Sequence, residues 1–306
     1  SSPDVYSMNR KAFMLQMRGI GIEAGLMGLP DVYDPGFAGK VDAACKSFCE
    51  PYRDNPWLIG YFTANEPSWH GQEVRLCQMI LDGEDRPVKT ALKAFLATSD
   101  TPERRKLFIF DTFRIFLLTV DEAIQKYDPN HLNLGIRFGN VSGMEKEILE
   151  ICGEIFDVFS FNCYDLYPKK EMMDRAMEIT GLPMIIGEYH FGTVDRGMAQ
   201  SLWQVNNQEE RGVAYRYYTE RAYAHPGLIG TAWFQWADQD LLGRRDGENY
   251  NCGFVDVTDR PYPHLVKAVS ETSSRLFKIH SGRLQPVAQE PVKARGHGGM
   301  PDFWNK

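Results

Sequence analysis

The chain has 306 residues, 43% hydrophobic and 25% charged, and its 41 acidic against 34 basic side chains give a net charge of −7. That length buries a sizeable core as one large α/β domain or two smaller ones. An acidic balance with no basic block argues against a nucleic-acid partner. No uninterrupted apolar segment approaches the ~20 residues of a membrane span.

In chain order, apolar runs bounded by turn residues alternate with amphipathic stretches. A first strand is expected near 22–29, and a helix over 35–52, opened by Pro35 and Gly36. Four further strands are expected at 57–63, 132–138, 158–164 and 183–189, and a fifth at 228–236. Each is a near-continuous apolar run rather than an alternating one, as parallel strands buried on both faces require. Helical patterns lie between them at 73–81, 103–127, 143–155, 170–180 and 207–224, with a last one at 264–279. The 103–127 helix is the best marked: Thr101 can cap it, Pro102 suits its first position, and Asp128-Pro129 closes it. The strand–helix repeat reads as βα units on a parallel sheet. Residues 281–306 are polar and rich in Pro and Gly, as in a tail or crossing segment. Of the six cysteines, Cys45 and Cys49 stand one helical turn apart, but no second His or Cys pair completes a tetrahedral metal set. Cys163, inside an apolar run, reads as a small buried hydrophobe.

In barrel-like parallel folds, catalytic groups sit at the carboxyl ends of strands. The polar and aromatic residues at those ends are Asn65 and Glu66, Arg137, Asn162 and Tyr164, Glu188 and His190, and Trp233, Gln235 and Trp236. Glu66 in "IGYFTANEPSW" and Glu188 in "IIGEYHFG" share one grammar, an apolar run with a Gly and then a Glu at its tip. Either Glu alone is explained by a strand reaching water, and Asn65-Glu66-Pro67 is also explained as strand-to-helix punctuation. A pair on different strands suits glycosidic cleavage, where one carboxyl donates a proton and the other, ionised, attacks the anomeric carbon. Unequal environments produce that division by separating the two pKa values.

These two motifs, with "GTAWFQWADQD" and "GFVDVTDRPYPHLVKAV", resemble retaining glycoside hydrolases of the large (β/α)₈ clan. The nearest likeness is to β-agarase-type enzymes of family 50, with a looser one to family 42 β-galactosidases. The resemblance runs from about Asp31 to about Gly282. It implies Glu66 as general acid/base, Glu188 as nucleophile, and Asn65 as the holder of a neighbouring sugar hydroxyl. Tyr164 is expected to hydrogen-bond Glu188. Whichever of Trp233 and Trp236 faces the barrel mouth would stack on a sugar, and Trp69 and His70 would line a leaving-group subsite or anchor their loop. Arg137, Asn162, His190 and Gln235 are further candidate substrate contacts. No cofactor is implied; the partner is a β-linked galactan or oligosaccharide. Retention requires the two carboxyl groups to be roughly 5–5.5 Å apart.

The resemblance also sets expectations that the chain strains. An eight-stranded barrel is implied, yet about six strands are visible. The chain therefore reads as a (β/α)₈ TIM-barrel type lacking its first one or two strands, with residues 1–280 as the catalytic barrel and 281–306 as a tail. An open barrel, or irregular completion by residues 1–20, is the expected consequence. An exported, extracellular or periplasmic polysaccharide degrader is implied, although residues 1–30 show no charged-then-apolar leader. A β-galactosidase or other β-glycosidase of the clan, and a non-catalytic carbohydrate-binding relative, are the rival readings. An interaction protein without catalysis is the third.

Overall fold

A computed structural model describes residues 11–139 and 141–293. They form two compact units, the first comprising 11–139, 143–160 and 179–182, the second 141–142, 161–178 and 183–293.

The first unit opens with strand β1 (Phe13–Gln16), which runs parallel to β2 (Leu58–Phe62) with Gln16 opposite Phe62. β2 pairs in parallel with β4 (Leu132–Asn133), giving a sheet ordered β1-β2-β4. A second parallel ladder joins β3 (Ala64–Asn65) to β5 (Ile136–Phe138), with Asn65 opposite Arg137. Both long apolar stretches thus break in two. In the second, Gly135 takes φ +70°, and a Cβ there would lie 2.5 Å from the Phe156 ring. That position needs glycine on both counts. Gly60 is fixed by close approach alone, since a Cβ on it would meet the Leu132 carbonyl oxygen at 2.2 Å.

Around these strands pack α1 (Phe37–Cys49), α2 (Glu73–Asp82), α3 (Pro87–Leu96), α4 (Pro102–Tyr127) and α5 (Lys146–Ile155). The α4 helix begins as its sequence dictates, with Thr101 Oγ1 accepting from the Arg104 N–H at 3.3 Å and Pro102 in the first turn. Its face of Phe108, Phe113, Phe116, Leu117 and Val120 is buried. Cys45 and Cys49 are both fully buried on α1, so their spacing serves the core. One expectation changes here. Residues 22–29 form a short 3-10 turn (Ile22–Ala24) and a loop, not a strand, because Gly21, Met27 and Gly28 all take positive φ. The strand of this region is β1, within residues 1–20; residues 1–10 lie outside the described part.

Strand β6 (Phe159–Asn162) is buried along its whole length. In the second unit β7 (Met184–Tyr189), also fully buried, pairs in parallel with β8 (Leu228–Trp233), while α6 (Lys170–Thr180), α7 (Gln208–Tyr223), α8 (Pro263–Ser273) and α9 (Leu276–His280) supply the helices. β8 departs from two-sided burial, with Ile229 51% exposed. After α9 the chain crosses α7 instead of trailing away. Arg221 donates to the Val287 carbonyl (2.6 Å), Tyr217 to Glu290 (2.7 Å), and the Val287 N–H to the buried Glu220 (3.0 Å). Of the expected tail, residues 285–293 are therefore a crossing segment, and 294–306 lie outside the described residues. The chain is an α/β protein with parallel sheets.

Candidate active site

In the second unit the candidate nucleophile stands near the end of β7. Glu188 is 8% exposed, and its backbone carbonyl accepts from the Cys163 N–H at 2.9 Å, which aligns the chain after β6 with the end of β7. Two residues after the end of β6, Tyr164 donates its hydroxyl to Glu188 Oε2 at 2.7 Å. This is the bond expected from the sequence, and a hydroxyl donating to a carboxylate stabilises the ionised form.

His190 supports that pair without joining it. Its ring meets Tyr164 edge-on with centroids 4.9 Å apart. Nδ1 faces the Phe234 carbonyl at 3.0 Å, and Nε2 accepts from the Leu202 N–H at 3.2 Å. A carbonyl can only accept and an N–H can only donate, so the ring is neutral with its proton on Nδ1. Burial agrees, pushing the imidazole down to about 3; the Phe234 bond opposes the shift, and the Arg211 charge adds to it. With both nitrogens committed to backbone, His190 is corrected from a direct hydroxyl contact to a positioning residue.

Beneath it lies a polar network that sequence spacing could not reveal. The Arg211 guanidinium, fully buried on α7, donates to the Phe191 carbonyl (2.9 Å), Gln208 (2.9 Å) and the Gly253 carbonyl (2.7 Å), with its face over Tyr262. Asp238 accepts from the Gly253 N–H (2.7 Å), from Asn251 (2.8 Å) and from Tyr262 (2.6 Å). These residues fix the segments that follow β7 and β8.

The two tryptophans differ in environment. Trp233 sits among Tyr189, Tyr215 and Phe254 and donates its indole N–H to the Cys252 carbonyl at 2.7 Å. Trp236 is 68% exposed, with its ring tilted toward Phe254 at a centroid distance of 6.2 Å. Gln235 donates to the Ala237 carbonyl at 3.2 Å. Cys163 is only half-buried and lies just past β6, although burial of the thiol raises its pKa to about 12.

In the first unit the candidate acid/base ends the β3–β5 ladder. The Glu66 N–H donates to the Arg137 carbonyl at 2.9 Å, and Glu66 takes φ +44°, a left-handed backbone rare for a side chain of its size. Such strain persists only where neighbours impose it. Here the loop 25–29 does so: the Ser68 N–H donates to the Met27 carbonyl at 3.0 Å, and Gly28 packs against Pro67 so closely that a Cβ would lie 3.0 Å from it. The punctuation reading is thereby corrected. Asn65 is an exposed strand residue rather than a cap, and the next helix starts only at Glu73. Trp69 is also corrected, from subsite residue to loop anchor: it is 1% exposed, with its ring 4.8 Å from that of Phe113 and edge-on to His70. Arg137 holds its guanidinium 5.2 Å over the Phe62 ring. Asn162, on β6, is buried.

No protein-family model matches the chain. It is 29% identical over 294 residues to β-agarase B of Vibrio sp. (strain JT0107), covering 81% of this chain and 30% of that protein. With β-agarase A of the same organism it shares 28% identity over 325 residues, 89% of this chain and 33% of the relative. Among solved structures, an agarase, AgWH50C, superposes with TM-score 0.79 at 28% identity over 93% of this chain and 46% of that one. An exo-β-agarase gives 0.77 at 27% identity, covering 91% and 44%. PfGH50B gives 0.76 at 25%, covering 91% and 47%. The chain resembles the β-agarases of glycoside hydrolase family 50. It spans about a third of the curated relatives and under half of those solved chains.

Proposed function

We propose that this chain carries the catalytic residues of a retaining glycoside hydrolase acting on β-linked galactan, agarase-like in substrate. The observation that carries this reading is the Glu188–Tyr164 pair, a nearly buried carboxylate at the end of a parallel strand held by a hydroxyl donor. The β-agarase relatives supply the substrate class. Residues 1–280 are taken as the (β/α)₈ barrel region, and export to the cell exterior or periplasm follows from a polymeric substrate.

The mechanism is double displacement. Glu188, ionised, attacks the anomeric carbon as Glu66 protonates the departing glycosidic oxygen, leaving a glycosyl ester on Glu188. Glu66, now ionised, takes a proton from water, whose oxygen attacks the same carbon and frees Glu188. Two inversions give net retention. Asn65 and Arg137 order hydroxyls from the Glu66 side, and Trp236 offers an apolar face to a sugar ring. Proton NMR of the first product formed from neoagaro-oligosaccharides tests the reading. The β-anomer is expected to appear first and then mutarotate; initial α-anomer contradicts retention, and no turnover by wild type contradicts hydrolysis.

A further inference from the structure

The faces of the first unit's strands can be assigned from their contacts. Tyr61 reaches toward the helices, donating to Asp128 at the end of α4, and Phe138 packs against Phe113 of α4. Side chains alternate along a strand, so Phe62 and Arg137 lie on the opposite face, where the Arg137 guanidinium covers the Phe62 ring. Paired residues of neighbouring strands share a face. Register therefore adds Gln16, opposite Phe62, and Asn65, opposite Arg137. The face opposite α4 at these strand ends thus carries Gln16, Asn65 and Arg137 around Phe62. In this group the Gln16 amide oxygen is buried and, among the described residues, accepts no hydrogen bond. A buried acceptor left open is costly and is retained where something outside the fold satisfies it.

We propose that Gln16 is a substrate-recognition residue, its amide oxygen accepting a hydrogen bond from one hydroxyl of the galactan unit also contacted by Asn65 and Arg137. This inference rests on the glycosidase reading. Gln16→Met keeps the length of the side chain and removes the amide, and Gln16→Asn withdraws the amide by one methylene. The test measures kcat, KM and melting temperature for both variants on neoagaro-oligosaccharides, with monodeoxy analogues as probes. KM is expected to rise roughly three- to tenfold in Gln16→Met, with an unchanged or higher melting temperature. One deoxy analogue that wild type discriminates against should become equivalent to its parent. A wild-type KM in Gln16→Met, or melting temperatures that fall in both variants, overturns the assignment in favour of a structural amide. If wild type is inactive and binds no oligosaccharide, the glycosidase reading itself fails and Gln16 falls with it. The wild-type arm separates that outcome from the others.

Discussion

At Glu188 the strand runs straight through the proposed nucleophile. β7 is buried from Met184 to Tyr189, Glu188 is 8% exposed, and its partner Tyr164 arrives from the chain just past β6. At Glu66 the strand is broken twice, once at Thr63 between β2 and β3 and again by the φ of +44° at Glu66 itself. Continued alternation after Asn65 would send the Glu66 side chain toward the helices, and the left-handed turn interrupts that alternation. One carboxylate is thus held by a regular strand and a hydroxyl donor; the other is held by a strained turn braced from a loop. The proposed nucleophile has to keep one ionised, aimed state, whereas an acid/base has to exchange a proton twice per turnover. The two constructions suit those two demands.

The comparison breaks most sharply under carboxylate removal. Glu188→Ala should lower kcat/KM roughly 10⁴-fold or more on every substrate, since the covalent step is lost. Glu66→Gln should cost roughly 10²–10⁴-fold on galactan oligosaccharides and far less in the first step with aryl glycosides whose leaving groups need no proton. Equal losses with both substrate types in both variants would erase the distinction. Tyr164→Phe removes a single charge-assisted bond and should reduce kcat/KM roughly 10- to 100-fold, chiefly through kcat. His190 gives a stability signature. Its pKa lies near 6.5 unfolded and about 3 folded, so the unfolded chain binds the extra proton between those values. Stability should be complete above about pH 6.5 and decline toward pH 3, and thermal melts of His190→Gln should show a shallower decline. The smallest effect belongs to the turn brace. Gly28 sits at φ +84°, so Gly28→Ala should cost about 1–2 kcal/mol, read as a modest drop in melting temperature with a loss of kcat that Gly39→Ala, at an open position on α1, should not reproduce.

Much of this construction is legible in the sequence. Near-continuous apolar runs marked β2, β6 and β7, and Thr101-Pro102 marked the start of α4 to the residue. The Tyr164–Glu188 bond is implied by the family resemblance, which sets these two strand-end residues side by side. Elsewhere the pattern misleads for physical reasons. Residues 22–29 are apolar enough for a strand, but their glycines serve positive φ and close packing under Pro67. β1 is only four residues long, too short for periodicity to mark. Helix α3 carries a readable signal, Pro87 at its start with Leu92 and Leu96 buried one turn apart, but the charged run before it reads as loop. The Arg211–Asp238–Asn251–Tyr262 network joins residues distant in sequence, and no local spacing announces it. Likewise the commitment of both His190 nitrogens to backbone depends on Leu202 and Phe234, neither of which marks itself by type.

The division of labour between the two carboxylates is tested most directly by azide rescue. Glu188→Ala and Glu66→Ala are each incubated with an activated aryl β-galactoside and azide, and the glycosyl azide formed is identified by NMR. The account predicts an α-azide from Glu188→Ala, where azide replaces the nucleophile, and a β-azide from Glu66→Ala, where azide replaces water. The same anomer from both variants, or the reverse assignment, would contradict it.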